Sequence, residues 1–513
     1  MRDGLVLGVD CGTQSLRAAL YTVEGRLLAQ ASTAYPTQRP HVNWAEQNPE
    51  DWWRALCVSV RTCLDQARVR GDAVAAMACD GTSFTGVYST NDGRPLRSAI
   101  LWMDLRAAEE AARVEATRDA ALDTCGRRIS AEWLLPKTLW VAAHEPEVYA
   151  RTERAVEGVD WLVHRLCGRW VTSNSNASGK RHWKPGEPWP AHFYASIGLD
   201  RLAAQSPDSV AYLGEPVGWL LPEAASALGL TAECVVAHAG MDGWTAPVGK
   251  NCFASGCASL TLGTSTVLIA ETQRPRIIDG VMGPFPDGIR RGFHTYEAGQ
   301  TSGAATIGWL LGLLGREGAP DAHNELESAA ARTPAGSEGL VVFDAWRGNR
   351  TPYFDPLARG TICGLTLEHG AAHLYRAILE GCAYGIRNVL DTLSSGGCGI
   401  EELRACGSGA ASALWTQIIA DVTGRRVLVS EEKQATCLGS AVCAAVACGA
   451  YPDLETASAA MSPSFRRVEP SRERGVYDVC FDLYRKTYGN MKDVMHELAH
   501  LTRPGADKLA QSP

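Results

Sequence analysis

The chain has 513 residues, of which 46% are hydrophobic and 21% charged, with a formal net charge of −8. That length is too great for one hydrophobic core and implies two or more domains. The composition is that of a soluble globular protein, and the acidic balance excludes broad binding to nucleic acid or to an anionic membrane.

In chain order, Leu5 to Asp10 reads as a buried strand, Cys11-Gly12-Thr13-Gln14-Ser15 as a turn, and Leu16 to Tyr21 as the returning strand. A glycine turn flanked by hydroxyls can wrap phosphate oxygens, and an Asp at the strand end can hold Mg2+ through water. An ordinary tight hairpin has the same local pattern. The pattern recurs at Ser259-Leu260-Thr261-Leu262-Gly263-Thr264-Ser265-Thr266, followed by Val267-Leu268-Ile269. Two such hairpins point to two related domains that grip one polyphosphate from both sides.

Val23 to Arg26 is a turn into a third strand, Leu27 to Thr33. Asn48-Pro49-Glu50-Asp51 marks a helix start, with Asn as the cap, proline in the first turn and acids behind it. Trp52, Trp53, Leu56, Val60, Leu64 and Ala67 then keep helical spacing. Ala73 to Ala78 reads as a strand ending at Asp80-Gly81-Thr82-Ser83, and Ile100 to Asp104 as another strand end. Residues 105–170 read as mostly helical, and residues 171–195, rich in Asn, Ser, Trp and Pro, as an irregular, substrate-facing insertion. Its run from Trp183 to Trp189 suits either a sugar-stacking platform or packing under a loop. Val235 to Ala239 is a strand that delivers Gly240-Met241-Asp242-Gly243.

The chain changes character near Lys250, which divides it into residues 1–249 and 250–513. Thr301 to Leu314 and Ala371 to Leu393 read as helices, and Leu403 to Cys406, Gly407-Ser408-Gly409 and Ala410 to Val422 as strand, turn and helix. The uncharged stretch Gln434 to Pro452 is too small-sided and glycine-broken to span a membrane and reads as a packed helix. From about residue 480 the chain reads as a helix that frays into a polar tail. The seventeen cysteines include no CxxC pair; they read as reduced core residues of a cytoplasmic enzyme. The apolar run between Asp3 and Asp10 is too short for a secretory leader.

Asp242 follows a strand directly and is flanked by glycines, so its carboxylate suits a base that takes a proton from a substrate hydroxyl; capping the helix that follows is the plainer alternative. Gly407-Ser408-Gly409-Ala410-Ala411-Ser412 nearly matches a dinucleotide fingerprint, but with Ser412 in place of the third glycine. A glycine turn at a helix start that receives an adenosine or a phosphate is the broader reading. No Walker-type loop is present. His496-Glu497-Leu498-Ala499-His500 has the HExxH pattern of zinc proteases, but too little chain follows for a third ligand and a cleft wall, so it reads as a solvated helix face.

Taken together these motifs resemble, in order, the FGGY family of carbohydrate kinases within the actin-like ATPase superfamily. The likeness covers roughly residues 4 to 460 and includes Trp44-Ala45-Glu46-Gln47, Gly240-Met241-Asp242-Gly243 and Gly348-Asn349-Arg350-Thr351-Pro352. It implies an α/β fold of two RNase-H-like domains flanking a catalytic cleft, the N-terminal one for sugar and the C-terminal one for nucleotide. Within the family the chain looks most like the pentulose kinases, ribulokinases among them. That likeness implies ATP-dependent phosphorylation of a terminal hydroxyl of a ketopentose, ribulose to ribulose 5-phosphate, with xylulose, ribitol, erythritol or glycerol as alternative substrates. An actin-like, nucleotide-switched ATPase without a sugar site is the rival from another class.

The resemblance also assigns residues. Asp242 is the catalytic base. Thr82, Ser83, Lys180, Glu297 and Gln300 join it around the sugar. Thr13, Gln14, Ser15 and Arg17 meet the phosphates of ATP from one side, with Gly263 and Thr264 on the other. Gly407, Gly409 and Ser412 border the adenosine, and Asp10 holds Mg2+ through water. A homodimer is common among the proteins it resembles.

Overall fold

The structure, a computed structural model, describes residues 4–501. Its centre is two mixed sheets built on one plan. In the first, β1 (Leu5–Cys11), β2 (Ser15–Thr22) and β3 (Leu27–Ala34) form an antiparallel meander. β4 (Val74–Gly81) pairs parallel with β1, while β5 (Pro216–Trp219) lies antiparallel to β6 (Val235–Met241), which is parallel to β4. The order is β5-β6-β4-β1-β2-β3.

The second sheet repeats this plan. β7 (Cys257–Leu262), β8 (Thr266–Thr272) and β10 (His294–Gln300) form the meander, and β9 (Met282–Pro286) extends its edge. β11 (Glu402–Cys406) and β12 (Arg426–Ser430) continue parallel from β7, and β13 (Phe465–Val468) closes antiparallel. Apart from the extra edge strand β9, strand direction and neighbour order match between the two sheets, so the two glycine turns occupy equivalent corners.

The central strands are buried along nearly their whole length because helices cover both faces. α1 (Pro49–Ala67) buries Trp52, Leu56, Val60 and Leu64 against the first sheet, and the Asn48 side chain caps it by accepting from the Glu50 amide at 3.1 Å. The other helices that matter for the site are α2 (Gly158–Cys167), α3 (Asn174–Lys180), α4 (Asp242–Gly249), α5 (Ala371–Ser395), α6 (Ala413–Thr423), α7 (Ala435–Ala447) and α8 (Arg474–Leu501).

α4 and α7 form a shared layer between the sheets. α4 continues from β6 yet touches β7 and β8, while α7 follows β12 yet packs on β1, β4 and β6. The contact is backbone to backbone. A Cβ on Gly8 would lie 1.8 Å from the Cys437 carbonyl oxygen, and one on Gly439 would lie 2.3 Å from the Thr245 carbonyl oxygen. Only glycine admits such approach, so Gly8 in the first strand is required by a helix more than four hundred residues later.

Several elements differ from the sequence expectation. Residues 174–180, read as irregular, form the wholly buried helix α3, capped by Ser173 Oγ on the Asn176 amide at 3.0 Å. Asn and Ser favour loops because their side chains compete for backbone groups. Here those groups are satisfied by tertiary partners instead: Asn174 Nδ2 donates to the Asp287 carbonyl at 2.5 Å, and Asn174 Oδ1 accepts from the Leu213 amide at 2.9 Å. Trp183 and Trp189 turn their indoles to the Glu187 and Pro207 carbonyls, so that run packs under its loop. Of Ile100 to Asp104 only Ile100 is strand; Asp104 instead binds the Ala45 amide and Arg106. A strand, Arg154–Glu157, interrupts the stretch read as helical. The helix expected from Thr301 starts at Ala305.

α8 buries Tyr477, Phe481, Tyr484, Tyr488 and Met495 against the second core, and the frayed tail expected beyond it lies outside the described residues. All seventeen cysteines are free. Among the described residues no helix is long and apolar enough to cross a membrane.

Candidate active site

Three aspartates converge where β1, β4 and β6 end. Asp10 and Asp80 are register partners on adjacent parallel strands, and Asp80 is in turn paired with Gly240, two residues before Asp242. Asp10 is buried. Its Oδ2 accepts from Arg17 Nη1 at 2.9 Å and from Thr436 Oγ1 at 2.8 Å, while Oδ1 has no partner. Asp80 is fully buried; Oδ2 accepts from Ser440 Oγ at 2.6 Å and Oδ1 is likewise bare. Burial, then the nearby charge of Asp10, pushes the Asp80 carboxyl well above the usual range.

Asp242 opens α4, but it is not the cap: the N-cap is Met241, and among the described residues the hydrogen bond to the Asp242 carboxylate is from its neighbour's amide, Gly243 N to Oδ1 at 2.7 Å. Burial pushes this carboxyl up to about 7, with Asp10 and Glu297 adding to the rise and the Gly243 amide and Arg17 opposing it. A carboxylate poised near neutrality with an unengaged oxygen can take a proton from a hydroxyl at physiological pH.

The sugar residues expected from α3 and β10 come together. Lys180 is buried to 1% exposure, and its ammonium sits among the rings of Phe84, Trp133 and Phe285, 4.4, 4.6 and 4.8 Å from their centroids. It pairs with Glu297 Oε2 at 3.5 Å and otherwise has no hydrogen-bond partner. Burial lowers the lysine despite that carboxylate. Burial also acts against the charged form of Glu297, but Lys180, Arg350 and the Trp244 indole N–H, 3.0 Å from Oε2, outweigh it and hold the carboxyl below its ordinary range. Trp244 lies one turn into the helix that Asp242 opens, which ties the base to this pocket. Such a pair presents a donor and an acceptor to an oxygen-rich ligand.

Thr82 and Ser83 lie at the end of β4, half-buried. Thr82 Oγ1 meets Thr85 Oγ1 at 2.9 Å, and the following Phe84 has a left-handed φ of 66°. Gln300 is engaged elsewhere. Its Nε2 donates to the Thr351 carbonyl at 3.2 Å and its Oε1 accepts from Asn349 Nδ2 at 3.4 Å, so it braces the 348–351 stretch instead of facing a ligand.

Both turns close through the glycine amide, but the second is one residue shorter: Gly12 N donates to the Ser15 carbonyl at 3.1 Å and Gly263 N to the Ser265 carbonyl at 3.0 Å. Gln14 and Thr264 are exposed at their tips, with Thr13, Ser15 and Gly263 partly so. Thr13 is braced by Trp102 Nε1, 3.0 Å from its Oγ1, and by Gln47 Nε2, 2.7 Å from its carbonyl. Arg17, expected on the phosphates, is held by Asp10, with its side chain 42% exposed.

The 407–412 turn has structural duties of its own. Gly407 has φ 94°, and a Cβ there would lie 2.5 Å from the Leu262 carbonyl oxygen; a Cβ on Gly409 would strike the Trp415 ring at 2.6 Å. Ser412 caps α6 through the Trp415 amide at 2.9 Å and donates to Glu327 at 2.6 Å, which accounts for its hydroxyl. His496, read as part of a solvated face, is bound to Asp355 at 2.7 Å. No cluster of three metal-ligating side chains occurs among the described residues.

Sequence reasoning missed Asp80, Trp244, Thr436 and Ser440 as members of this site. A strand closed by an acid, Cys79-Asp80-Gly81 beside Asp10-Cys11-Gly12, was the available signal for Asp80. The two hydroxyls on α7 had none, since only the fold brings them under the first sheet.

The chain matches the N-terminal domain of the FGGY family of carbohydrate kinases over residues 5–249 and its C-terminal domain over residues 258–448. It is 30% identical over 505 residues to a ribulokinase of Halalkalibacterium halodurans, covering 90% of each chain. It is 29% identical over 501 residues to a xylulose kinase of Bacillus subtilis, covering 95% of this chain and 97% of that one. A crystal structure described as a xyloylose kinase from Brucella ovis superposes with a TM-score of 0.86 at 27% identity, over 96% of this chain and all of the other. The chain belongs to the FGGY family of carbohydrate kinases, with the actin-like ATPase fold, and is an enzyme of that class. Sugar kinases of this family use ATP, generally with Mg2+.

Proposed function

We propose that this kinase phosphorylates the terminal hydroxyl of a ketopentose, converting ribulose to ribulose 5-phosphate. The observation that carries the reading is Asp242: a carboxyl at the end of β6 with one oxygen unengaged, raised to about 7 by burial and by the charges of Asp10 and Glu297. Asp242 orients the sugar hydroxyl and takes its proton. Lys180 donates to the ketose carbonyl or a neighbouring hydroxyl, Glu297 accepts from a hydroxyl, and Ser83 meets a further sugar oxygen, as the family resemblance implies. The glycine turns at Thr13 and Thr264 hold the phosphates. Because phosphoryl transfer has a loose transition state, positioning and charge neutralisation carry most of the rate.

The bare, buried oxygens of Asp10 and Asp80 fit a hydrated cation. Mg2+, when bound there through water, supplies neutralisation of phosphate charge. Arg17 and Thr436 hold Asp10 in place.

Xylulose is the second reading, favoured by the xylulose kinase similarity over nearly the whole chain. A coupled ADP-release assay over D- and L-ribulose, D- and L-xylulose, ribitol, erythritol and glycerol decides between them. The reading expects the highest kcat/KM on a ribulose; a higher value on xylulose or a polyol overturns the substrate, and sugar-independent ATP consumption overturns the kinase site. We also place the enzyme in the cytoplasm as a homodimer, for which light scattering is the direct check.

A further inference from the structure

β6 does not reach Asp242 in register. Its pairing with β4 runs His238 to Cys79 and then Gly240 to Asp80, leaving Ala239 as one extra residue. Side chains alternate along a strand, so a one-residue slip exchanges its faces, and bulges are a known means of re-aiming a side chain. Gly240, at φ 81°, makes the bulge sterically possible, and a Cβ there would lie 2.8 Å from Ser175.

Something must hold this irregular backbone, since the ladder no longer does. His238 is fully buried in the bulged strand, where an unsatisfied imidazole would be costly. Its Nδ1 accepts from the Gly240 amide at 3.0 Å, and its Nε2 lies 2.9 Å from Asp160 Oδ1. An accepting Nδ1 carries no proton, so Nε2 holds it and donates to Asp160. Asp160, on α2, is itself fixed: its Oδ2 accepts from the Glu157 amide at 3.1 Å. On the other side Ser175 Oγ, from α3, accepts from the Met241 amide at 3.2 Å.

We propose that the Asp160–His238 pair is a positioning device for the catalytic step: it sets the imidazole tautomer that clamps the Gly240 amide, and the clamped bulge aims Asp242 at the sugar hydroxyl. This rests on the reading of Asp242 as the base. Ser175 is the second clamp. Neither His238 nor Asp160 touches substrate. They act through the backbone at Gly240, and Lys180 and Glu297 bind sugar without them.

The two imidazole nitrogens can be tested apart. In His238→Asn the amide head falls near Nδ1 and can still accept from Gly240; in His238→Gln it falls near Nε2 and can reach only Asp160. The expected result is a kcat for His238→Asn within about threefold of wild type and for His238→Gln lowered by about tenfold to a hundredfold, the usual cost of a small misplacement. KM for sugar should stay within about twofold in both, because the binding residues are untouched. A purely structural role for the buried pair predicts equal losses, or the reverse order, and either result overturns the proposal. Ser175→Ala, a mild change, should lower kcat severalfold at unchanged sugar KM, and full activity there counts against the clamp even if neither His238 variant folds. Asp242→Asn is measured alongside: near-normal turnover in that variant refutes the base itself, whereas an inactive Asp242→Asn with equally active His238 variants refutes only the bulge device.

Discussion

Lys180 Nζ stands 3.5 Å from Glu297 Oε2, although the lysine ends a helix beside the first sheet and the glutamate lies on β10 of the second. The pair therefore joins the two halves at the sugar pocket. Removing one partner of a buried charged pair leaves the other exposed to its full desolvation cost, about 2–5 kcal/mol. Lys180→Met should lower kcat/KM for the sugar by about a hundredfold or more, with KM for ATP little changed. Glu297→Gln, which keeps an acceptor for Trp244, should be the milder of the two. Steady-state kinetics with each substrate varied in turn checks both.

The raised carboxyl of Asp242 fixes the sign of two pH effects. The base must be ionised, so kcat/KM for the sugar should rise with pH through about 7 and then level. For stability, the folded chain holds this proton up to about 7, whereas an exposed aspartate loses it near about 4. The contribution is thus fully present at low pH and lost as pH rises through 7. Asp242→Asn, which never ionises, should raise the Tm of the ligand-free enzyme at pH 8 and leave it unchanged at pH 4. Its kcat should fall by about 10²–10⁴-fold. Calorimetry at the two pH values and a pH–rate profile give the answer.

Gly8 has no room for a methyl group. An added Cβ would sit 1.8 Å from the Cys437 carbonyl oxygen, and backbone on both sides cannot yield cheaply. Gly8→Ala should destabilise by about 3 kcal/mol or more, seen as a lower denaturant midpoint or as insoluble protein.

His496 is predicted to be structural. With Tyr488 it binds Asp355, at 2.7 and 2.9 Å, and so pins α8 to the loop after Thr351. His496→Ala should cost about 1 kcal/mol of stability, the usual worth of such a bond, with kcat within about twofold. Stoichiometric zinc in the purified protein, lost in this variant, would contradict the assignment.

The fold was legible where pattern and punctuation agree. Leu5–Cys11, the turn at Gly12 and Ser15–Thr22 follow from an apolar run, a glycine and a second apolar run, and the Asn48-Pro49 start of α1 from its capping chemistry. What escaped is what distance in sequence conceals. Asn174 to Lys180 looks like a loop because its polar side chains find partners far away in sequence, Asn174 at Asp287 and Leu213, Ser175 at Met241 and Lys180 at Glu297. Ser412 looks like a ligand residue because nothing local reveals Glu327. Asp242 was legible as a residue, but the extra Ala239 that turns it could not be seen without the register of its neighbour strand. The motif resemblance supplied Lys180 and Glu297; elementary periodicity alone gives Lys180 no role.

α7 completes the first core with Cys437, Leu438, Ala441 and Ala444 packed beside Val6, Ala78 and Ala237. On the ribosome, the first sheet therefore emerges with one face bare and stays so until residue 447 has been made, most of the way through translation. A fragment ending near Lys250 would keep that oily surface permanently and should require a chaperone, or the remaining segment supplied in trans, to stay in solution.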